Sequence, residues 1–253
     1  MDYIDVNRKA WTHDAYNFWI SQNGTPDEAA KKMMDNPLAC LKKHAQYFET
    51  YGGLKVANVC GSIGKKAIPL VLLGSKVTVF DISEQNKRYA CEAALKAGVQ
   101  LDYVVGDVLE IDLTIFGHSF DVVFFEGGVL HYFHEIDAFM SVMNKLLKPE
   151  GKMICSDFHP FTKLSDTLDI EQPTMSYFST DAFEGEMAHA RFYPAEVRAV
   201  MPRCHYRKYT ISEIINAIIH NGFNVKQFDE HPSWTDERLP GEFTVVAVKA
   251  GSV

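Results

Sequence analysis

Three acidic residues in the first half of the chain stand at or just beyond the ends of apolar segments. Asp81 and Glu126 each end such a segment, and Asp107 follows another one by two positions. If these segments are neighbouring parallel strands, their carboxyl ends meet at one edge of a sheet. A carboxylate there can accept hydrogen bonds from ribose hydroxyls or from an adenine amino group. Three carboxylates would repel a pyrophosphate, so the pattern favours a nucleoside ligand that carries a cation and no phosphate.

A bend of small residues precedes these acids. Residues 58–64 read Asn-Val-Cys-Gly-Ser-Ile-Gly and follow the first apolar segment. Small side chains let a ligand approach the backbone where a helix begins. Only Gly61 and Gly64 of the dinucleotide fingerprint G-x-G-x-x-G are present, so the bend does not match a standard dinucleotide loop.

Alternating strands and helices must position these residues. The pattern predicts a doubly wound, Rossmann-like α/β fold, because strands joined by helical crossovers form a parallel sheet covered on both faces. Its ligand belongs at the carboxyl ends of the strands. The predicted strands are 55–59, 76–80, 101–105, 120–125 and 152–156, and the predicted helices are 65–73, 83–97 and 136–147, the last ended by residues 148–151.

The segments before and after this core have other patterns. Residues 1–53 look helical, with Thr25-Pro26 and Asn36-Pro37 as helix starts. In residues 36–53 the pattern predicts one apolar face, formed by Leu38, Leu41, Ala45 and Phe48, ended by Gly52-Gly53. Residues 161–209 have no clear period but many aromatic residues and methionines, including Met175.

The end of the chain predicts one helix and a hairpin. Thr210 and Glu213 form a capping-box pattern, isoleucines from Ile211 to Ile219 form the apolar stripe, and Gly222 stops the helix. Strands are predicted at 223–229 and 243–249, joined by a loop too short for a crossover helix, so we expect an antiparallel hairpin.

The composition limits the classes of function. The 253 residues are 47% hydrophobic, with a net charge of −8 and no long run of lysine or arginine, which argues against nucleic-acid binding. No segment has the length of a membrane helix, and the first residues do not resemble a signal peptide, so we expect a cytoplasmic protein without membrane association. Five scattered cysteines without a C-x-x-C spacing predict reduced thiols and no metal site.

Taken in chain order, these features resemble those of the class I S-adenosylmethionine-dependent methyltransferases, in particular small-molecule enzymes of types 11 and 25. Residues 120–123, 130–133 and 147–151 also look like that family. The resemblance covers residues 54–160 and the final helix and hairpin, and it implies that the last strand of the sheet is antiparallel. The family's usual D/E-x-G-x-G-x-G has Asn58, Cys60 and Ser62 here in place of the acid and two glycines.

The resemblance implies a role for each of these positions, with S-adenosylmethionine as cofactor and S-adenosylhomocysteine as product. The implied cofactor contacts are Asn58, Cys60, Gly61, Ser62 and Gly64 near the methionyl part, Asp81 and Ile82 at the ribose, Asp107 and Val108 at the adenine, and Glu126 and Gly127 at the sulfonium. The catalytic candidates are His131, Glu126 and His159.

Each role has an alternative. Asp81 could instead cap the helix beside Ser83, and Asp107 could only start a turn. His131 could be a general base or a polar wall of the cleft, and His159 could orient the acceptor or fix the exit from the fifth strand. We expect Lys65-Lys66 to be a solvated first turn, because lysine is usually exposed, although the pair could bind the cofactor carboxylate.

The segments outside the core also allow two interpretations each. Residues 1–53, with Tyr3, Trp11, Tyr16 and Trp19, could form a lid over the cofactor or a packed surface layer. The insertion 161–209 could be an acceptor-binding cap, or its aromatic residues could pack on the sheet or contact a second copy.

We therefore expect one methyltransferase domain over residues 1–253: the segment 1–53, the core 54–160, the insertion 161–209, and residues 210–253 with the last helix and hairpin. It would methylate a small molecule, as a monomer or homodimer. A nucleotide-dependent oxidoreductase and an S-adenosylmethionine-binding protein without turnover remain the alternatives. The sequence identifies neither the methyl acceptor nor the atom that receives the methyl group.

Overall fold

A sheet of seven strands forms the centre of the computed structural model, which describes residues 2–163 and 176–251. The strands in this part of the chain are β1 (Lys55–Val59), β2 (Lys76–Asp81), β3 (Asp102–Val105), β4 (Phe120–Glu126), β5 (Leu147–Phe158), β6 (Ala182–Glu186), β7 (Arg203–Arg207), β8 (Phe223–Pro232) and β9 (Pro240–Lys249). The order in the sheet is β3-β2-β1-β4-β5-β9-β8. The first five strands are parallel, whereas β9 is antiparallel to both β5 and β8. The predicted Rossmann-like α/β fold with a terminal antiparallel hairpin is confirmed.

Helices cover both faces of this sheet. The α-helices in the described residues are α1 (Tyr3–Thr12), α2 (Ala15–Asn23), α3 (Pro26–Asp35), α4 (Pro37–Leu41), α5 (Ala67–Leu72), α6 (Glu84–Lys96), α7 (Leu113–Phe116), α8 (Ile136–Leu146), α9 (Ala195–Arg198) and α10 (Ile211–His220). None of them is long and apolar enough to cross a membrane.

The central strand β4 shows how the core is divided. Val123 and Phe125 pack on one face with residues of α8 and α10, while Val122 and Phe124 pack on the other face with α5 and residues 41–48. Because side chains alternate between the faces of a strand, a strand covered on both sides must be apolar throughout. This is why residues 122–125 of β4 are all apolar.

Several sequence predictions hold at residue level. Ser83 caps α6, and Thr25 and Thr210 form complete capping boxes with Glu28 and Glu213. The terminal hairpin is antiparallel as expected, although its strands extend to Pro232 and back to Pro240.

Other local predictions were wrong. The face predicted for residues 36–53 is not continuous, because α4 ends before Lys42, whose φ of 54° belongs to the left-handed region, and a 3-10 turn follows. Leu38 is 48% exposed, whereas Leu41 and Phe48 are buried. At the other end of the chain Ile219 is 51% exposed, so it does not belong to the buried stripe.

Residues 148–151 and the insertion also differ from expectation. Helix α8 ends at Leu146, and the run 148–151 lies within the bounds of β5. The run therefore does more than end the helix. Glu150 within it has a φ of 61°. In the insertion, β6 and β7 pair as a separate antiparallel ribbon that the irregular sequence did not predict. Met175, which contributed to that interpretation, lies outside the described residues.

Candidate functional site

A cavity of about 280 Å³ lies at the carboxyl edge of the parallel strands. The bend after β1 and the residues at the ends of β2, β3 and β4 form part of its wall. Residues of α1, with Trp19 of α2, also line it. From the strand ends, the wall includes Asn58, Cys60, Gly61, Ser62, Asp81, Ile82, Asp107, Val108, Glu126 and Gly127.

The bend after β1 keeps a left-handed backbone at three alternate positions. Cys60, Ser62 and Gly64 have φ angles of 50°, 48° and 75°. Two of these residues carry a side chain, and such a conformation costs a non-glycine residue roughly 1–2 kcal/mol. Cys60 and Ser62 therefore hold the bend at an energetic cost that glycine would avoid at these two positions. Gly64 ends the bend and is not part of the cavity wall.

Gly61 is required for a different reason. Its φ is not left-handed, but an added Cβ would collide with the side-chain oxygen of Asn58 and lie 2.9 Å from Cγ1 of Val79. The Asn58 amide nitrogen donates to the carbonyl of Phe124 at 3.2 Å, whereas its buried Oδ1 has no hydrogen-bond partner among the described residues. Asn58 thus links β1 to β4 directly below the bend.

Asp81 connects β2 to the bend and to α6. Its Oδ2 accepts from the backbone N–H of Ser62 at 2.9 Å, and its Oδ1 accepts from Ser83 N at 3.0 Å and from Asn86 Nδ2 at 3.1 Å. Burial raises the pKa of this carboxyl, while the hydrogen bonds oppose the shift. The side chain therefore stabilises the start of α6, as one of the two interpretations expected. It also lies in the cavity wall, where its contact with a ribose stays a prediction.

Asp107 stands at the far end of the cavity, beyond β3. Its Oδ1 accepts from Leu109 N at 3.0 Å and caps the 3-10 turn that begins at Val108. The residue is 8% exposed, and burial raises the pKa of its carboxyl. The structure therefore places Asp81 and Asp107 in the wall of one cavity, as the strand order requires.

Glu126 begins a tight turn at the end of β4. The next two residues, Gly127 and Gly128, have φ angles of 84° and 85°, which favour glycine. Asp157 at the end of β5 fixes the turn, because its Oδ2 accepts from Val129 N at 2.9 Å and from Leu130 N at 2.8 Å. Burial raises the pKa of Asp157 to about 6.

The two catalytic candidates other than Glu126 lie outside the cavity wall. His131 packs among Tyr132, Phe158 and Tyr206, with ring centroids 4.3–6.1 Å away, and burial lowers its pKa to about 3. His159 Nε2 lies 3.0 Å from Glu230 Oε1, beside the hairpin. Of the three candidates, the structure brings only Glu126 to the cavity.

The lysine pair differs from the solvated turn we expected. Lys65 is exposed, but Lys66 is 6% exposed, and its Nζ donates to the carbonyls of Cys40 and Leu41 at 2.8 and 3.4 Å. An ammonium group at the last carbonyls of a helix satisfies acceptors that would otherwise stay unpaired. Both lysines line the cavity.

The N-terminal helix supplies cavity residues that sequence reasoning missed. Besides Tyr3 and Trp11, the wall includes Ile4 and Asn7. The Asn7 side chain donates to the carbonyl of His205 at 3.1 Å and accepts from its N–H at 2.7 Å, which fastens α1 to β7. No local pattern could indicate a contact between residues 198 positions apart.

Comparison with known proteins finds a match to one domain within this chain. A family model described as a methyltransferase domain matches residues 58–155. The chain is 30% identical over 104 residues to a ubiquinone biosynthesis O-methyltransferase of Bartonella bacilliformis, with 41% of this chain and 40% of that protein covered. A second such enzyme, from Roseobacter denitrificans, is 32% identical over 111 residues, which are 43% of this chain and 42% of that protein. The chain thus spans about two fifths of the length of the curated relatives it matches.

Solved structures extend the similarity of the fold beyond the matched segment. A putative S-adenosylmethionine-dependent methyltransferase of Listeria monocytogenes superposes with a TM-score of 0.65 at 19% identity, over 83% of this chain and 97% of that chain. Magnesium protoporphyrin IX methyltransferase of Synechocystis PCC 6803, with bound S-adenosylhomocysteine, gives 0.60 at 19% identity, over 98% of this chain and all of that chain. Residues 58–155 thus match a methyltransferase domain, and the fold of the chain is similar to that of solved S-adenosylmethionine-dependent methyltransferases.

Proposed function

We propose that this protein transfers the methyl group of S-adenosylmethionine to a small-molecule acceptor. The observation that carries the proposal is the row of acids in one cavity wall, Asp107, Asp81 and Glu126, at the ends of strands that stand in that order across the sheet. Two relatives in sequence carry the name O-methyltransferase, but the match covers only about two fifths of this chain. We therefore propose methyl transfer without a named acceptor.

The dimensions of the edge suit the cofactor. Neighbouring strands lie about 4.8 Å apart, so the three steps from β3 to β4 span about 14 Å. Adenine near Asp107 and ribose at Asp81 direct the sulfur towards Glu126, because the base and the 5′ carbon are attached at the two separate ribose carbons that flank the ring oxygen. The bend between them offers two buried polar atoms without partners among the described residues, Asn58 Oδ1 and Ser62 Oγ.

The bound cofactor supplies an activated methyl group on a cationic sulfur, so the protein mainly has to align the acceptor and exclude water. Asp81 holds the ribose while it keeps the bend closed through Ser62. Trp11 and Tyr132 add aromatic side chains to the wall of the same cavity. Glu126 takes the proton from an acceptor hydroxyl or amine, as a carboxylate in the cavity wall can.

We further propose that α1 and the ribbon of β6 and β7 act together as lid and cap. Asn7 joins them, and Trp11 contacts both Tyr132 and His189, with ring centroids 5.6 and 5.8 Å apart. Removal of this cover would open the cavity to water. We expect the protein to work in the cytoplasm, as a monomer or homodimer, and not on nucleic acid, in line with its net charge of −8.

Titration calorimetry with S-adenosylmethionine and S-adenosylhomocysteine tests this function. Both should bind the wild-type protein, and Asp81→Ala should weaken both by about 1–3 kcal/mol, the usual loss when buried hydroxyls lose a charged partner. Asp121→Ala is the matched control, because Asp121 lies near the opposite end of β4, where it accepts from Lys55 N and Lys148. Absence of heat with either ligand in folded wild-type protein would refute the function, and an unchanged affinity of Asp81→Ala would refute the assignment of that residue.

A further inference from the structure

We propose that Tyr103, a residue outside the cavity wall, is a positioning residue that holds the bend after β1 in the shape that receives the ligand. It acts through the carbonyl of Ser62 and offsets the strain of a side chain at that position. The proposal rests on the proposed function and deepens it, since it concerns what keeps one wall of the same cavity in place.

Ser62 stands where a turn favours glycine. The N–H of Gly64 donates to the carbonyl of Gly61 at 3.0 Å, which makes Ser62 the first central residue of a four-residue turn. Its φ is 48°, and a positive φ at this position of a turn is typical of glycine. A strained backbone of this kind persists only where the surrounding structure holds it. The contacts of Ser62 must therefore hold the turn.

Two neighbouring strands hold the backbone of Ser62 from both sides. Its N–H donates to Oδ2 of Asp81 in β2 at 2.9 Å, and its carbonyl accepts from the hydroxyl of Tyr103 in β3 at 2.8 Å. Since β2 lies between β1 and β3, the tyrosine reaches across one strand to meet the bend. Rotation of Ser62 to a negative φ would carry its carbonyl away from that hydroxyl.

Tyr103 is suited to act as a fixed donor. Its ring is half-buried and packs with the apolar cluster that contains Val79, its partner in the register of β2 and β3. Burial raises the pKa of the phenol further above its ordinary value, and the charge of Asp81 adds to the shift, so the hydroxyl keeps its proton. The ring lines a groove with Phe116 that shares no residue with the cavity, so Tyr103 meets the bend from outside.

The shape of the bend matters because its residues form the wall. Gly61, Ser62 and Ile63 all line the cavity, and the hydroxyl oxygen of Ser62 is buried there without a hydrogen-bond partner among the described residues. A displaced Ser62 carbonyl would move these wall residues together. Loss of the Tyr103 hydroxyl should therefore weaken ligand binding, although no atom of Tyr103 lies in the cavity wall.

A double-mutant cycle measures whether Tyr103 acts through the strain at Ser62. Titration calorimetry with S-adenosylhomocysteine compares wild type, Tyr103→Phe, Ser62→Gly and the double variant. We expect Tyr103→Phe to weaken binding about 10-fold in the wild type, since a buried acceptor loses its donor. With Ser62→Gly the same change should weaken binding less than about 2-fold, because glycine keeps a positive φ without help. Comparison within each background cancels what the Ser62 hydroxyl itself contributes.

Tyr51→Phe is the matched control. Its hydroxyl also donates to a backbone carbonyl, that of Ala45 at 3.0 Å, and Tyr51 is not part of the cavity wall. This variant should bind within about 2-fold of wild type, and denaturant unfolding checks that every variant is folded.

Two results would overturn the proposal while the proposed function stands. One is a Tyr103→Phe protein that binds as tightly as wild type, which would leave Tyr103 a structural role alone. The other is an equal loss with serine and with glycine at position 62, because the strain at Ser62 would then have no part in the effect. If folded wild type bound neither S-adenosylmethionine nor S-adenosylhomocysteine, the proposed function and this proposal would fail together.

Discussion

The stability of the contact between lid and cap should depend on pH through His189. This ring is 3% exposed, stacks on Phe18 at 4.3 Å between centroids, and has no hydrogen-bond partner for either nitrogen among the described residues. Burial lowers its pKa to about 4, and the charge of His13 adds to the shift. His189 is therefore neutral in the folded protein at any pH near neutrality.

The sign and size of the effect follow from this lowered pKa. In the unfolded chain histidine titrates near 6.5, so between pH 7 and pH 5 the unfolded state takes up a proton that the folded state does not. Stability is thus fully present above about pH 6.5 and is lost as the pH falls. At pH 5 the loss from His189 amounts to about 2 kcal/mol, since each pH unit below the unfolded pKa costs about 1.4 kcal/mol.

The substitution His189→Phe isolates this term from the other buried histidines. Guanidinium chloride unfolding at pH 7 and pH 5 should show that the variant loses about 2 kcal/mol less than wild type between the two conditions. Phe18→Leu is the control, because it disturbs the same stack and removes no titrating group; its loss on acidification should equal that of wild type. A His189→Phe protein that loses as much stability as wild type between pH 7 and pH 5 would refute the reasoning.

Two further predictions concern the walls of the cavity. Gly61→Ala should abolish measurable binding of S-adenosylhomocysteine in calorimetry, because the new Cβ collides with Asn58 and displaces the bend; binding at wild-type affinity would contradict that account. Asn7→Ala should lower the free energy of unfolding by about 1–3 kcal/mol in denaturant titration, because both backbone groups of His205 lose their partner. Asn7→Asp, which keeps the acceptor for the N–H of His205 but not the donor, should lie between the two, and equal stability of all three proteins would show that the contact is not stabilising.

The sequence predicted those features that depend on local pattern. For β1 to β4 the predicted ends lie within one residue of the observed ones, because apolar runs such as 122–125 belong to strands covered on both faces. The prediction for β5, 152–156, was too short. The helix start at Thr25-Pro26 and the capping box at Thr210 were likewise predicted from short motifs. Asp81 and Asp107 could be placed in one cavity from the strand order alone.

What the sequence did not predict depends on contacts between distant segments. Lys66 is buried because the carbonyls of Cys40 and Leu41 accept its ammonium group, and nothing in the order of residues 60–70 reveals those acceptors. The ribbon of β6 and β7 has few residues with a strand pattern and pairs through its backbone. His44 carried no motif at all, yet its Nδ1 lies 3.9 Å from Glu126 Oε2.

The place of β9 has a consequence for the integrity of the sheet. Although it follows β8 in the chain, it lies between β5 and β8 and pairs with seven residues of β5, from Lys152 to Phe158. A chain cut before Pro240 would leave that side of β5 as an open edge, lined by apolar side chains and unpaired backbone groups. Such a fragment would retain the bend, Asp81 and Asp107, but it would tend to associate through β5 with other molecules. Proteolysis in the turn between β8 and β9, followed by loss of β9, should therefore cause aggregation while the residues of the cavity are still in place.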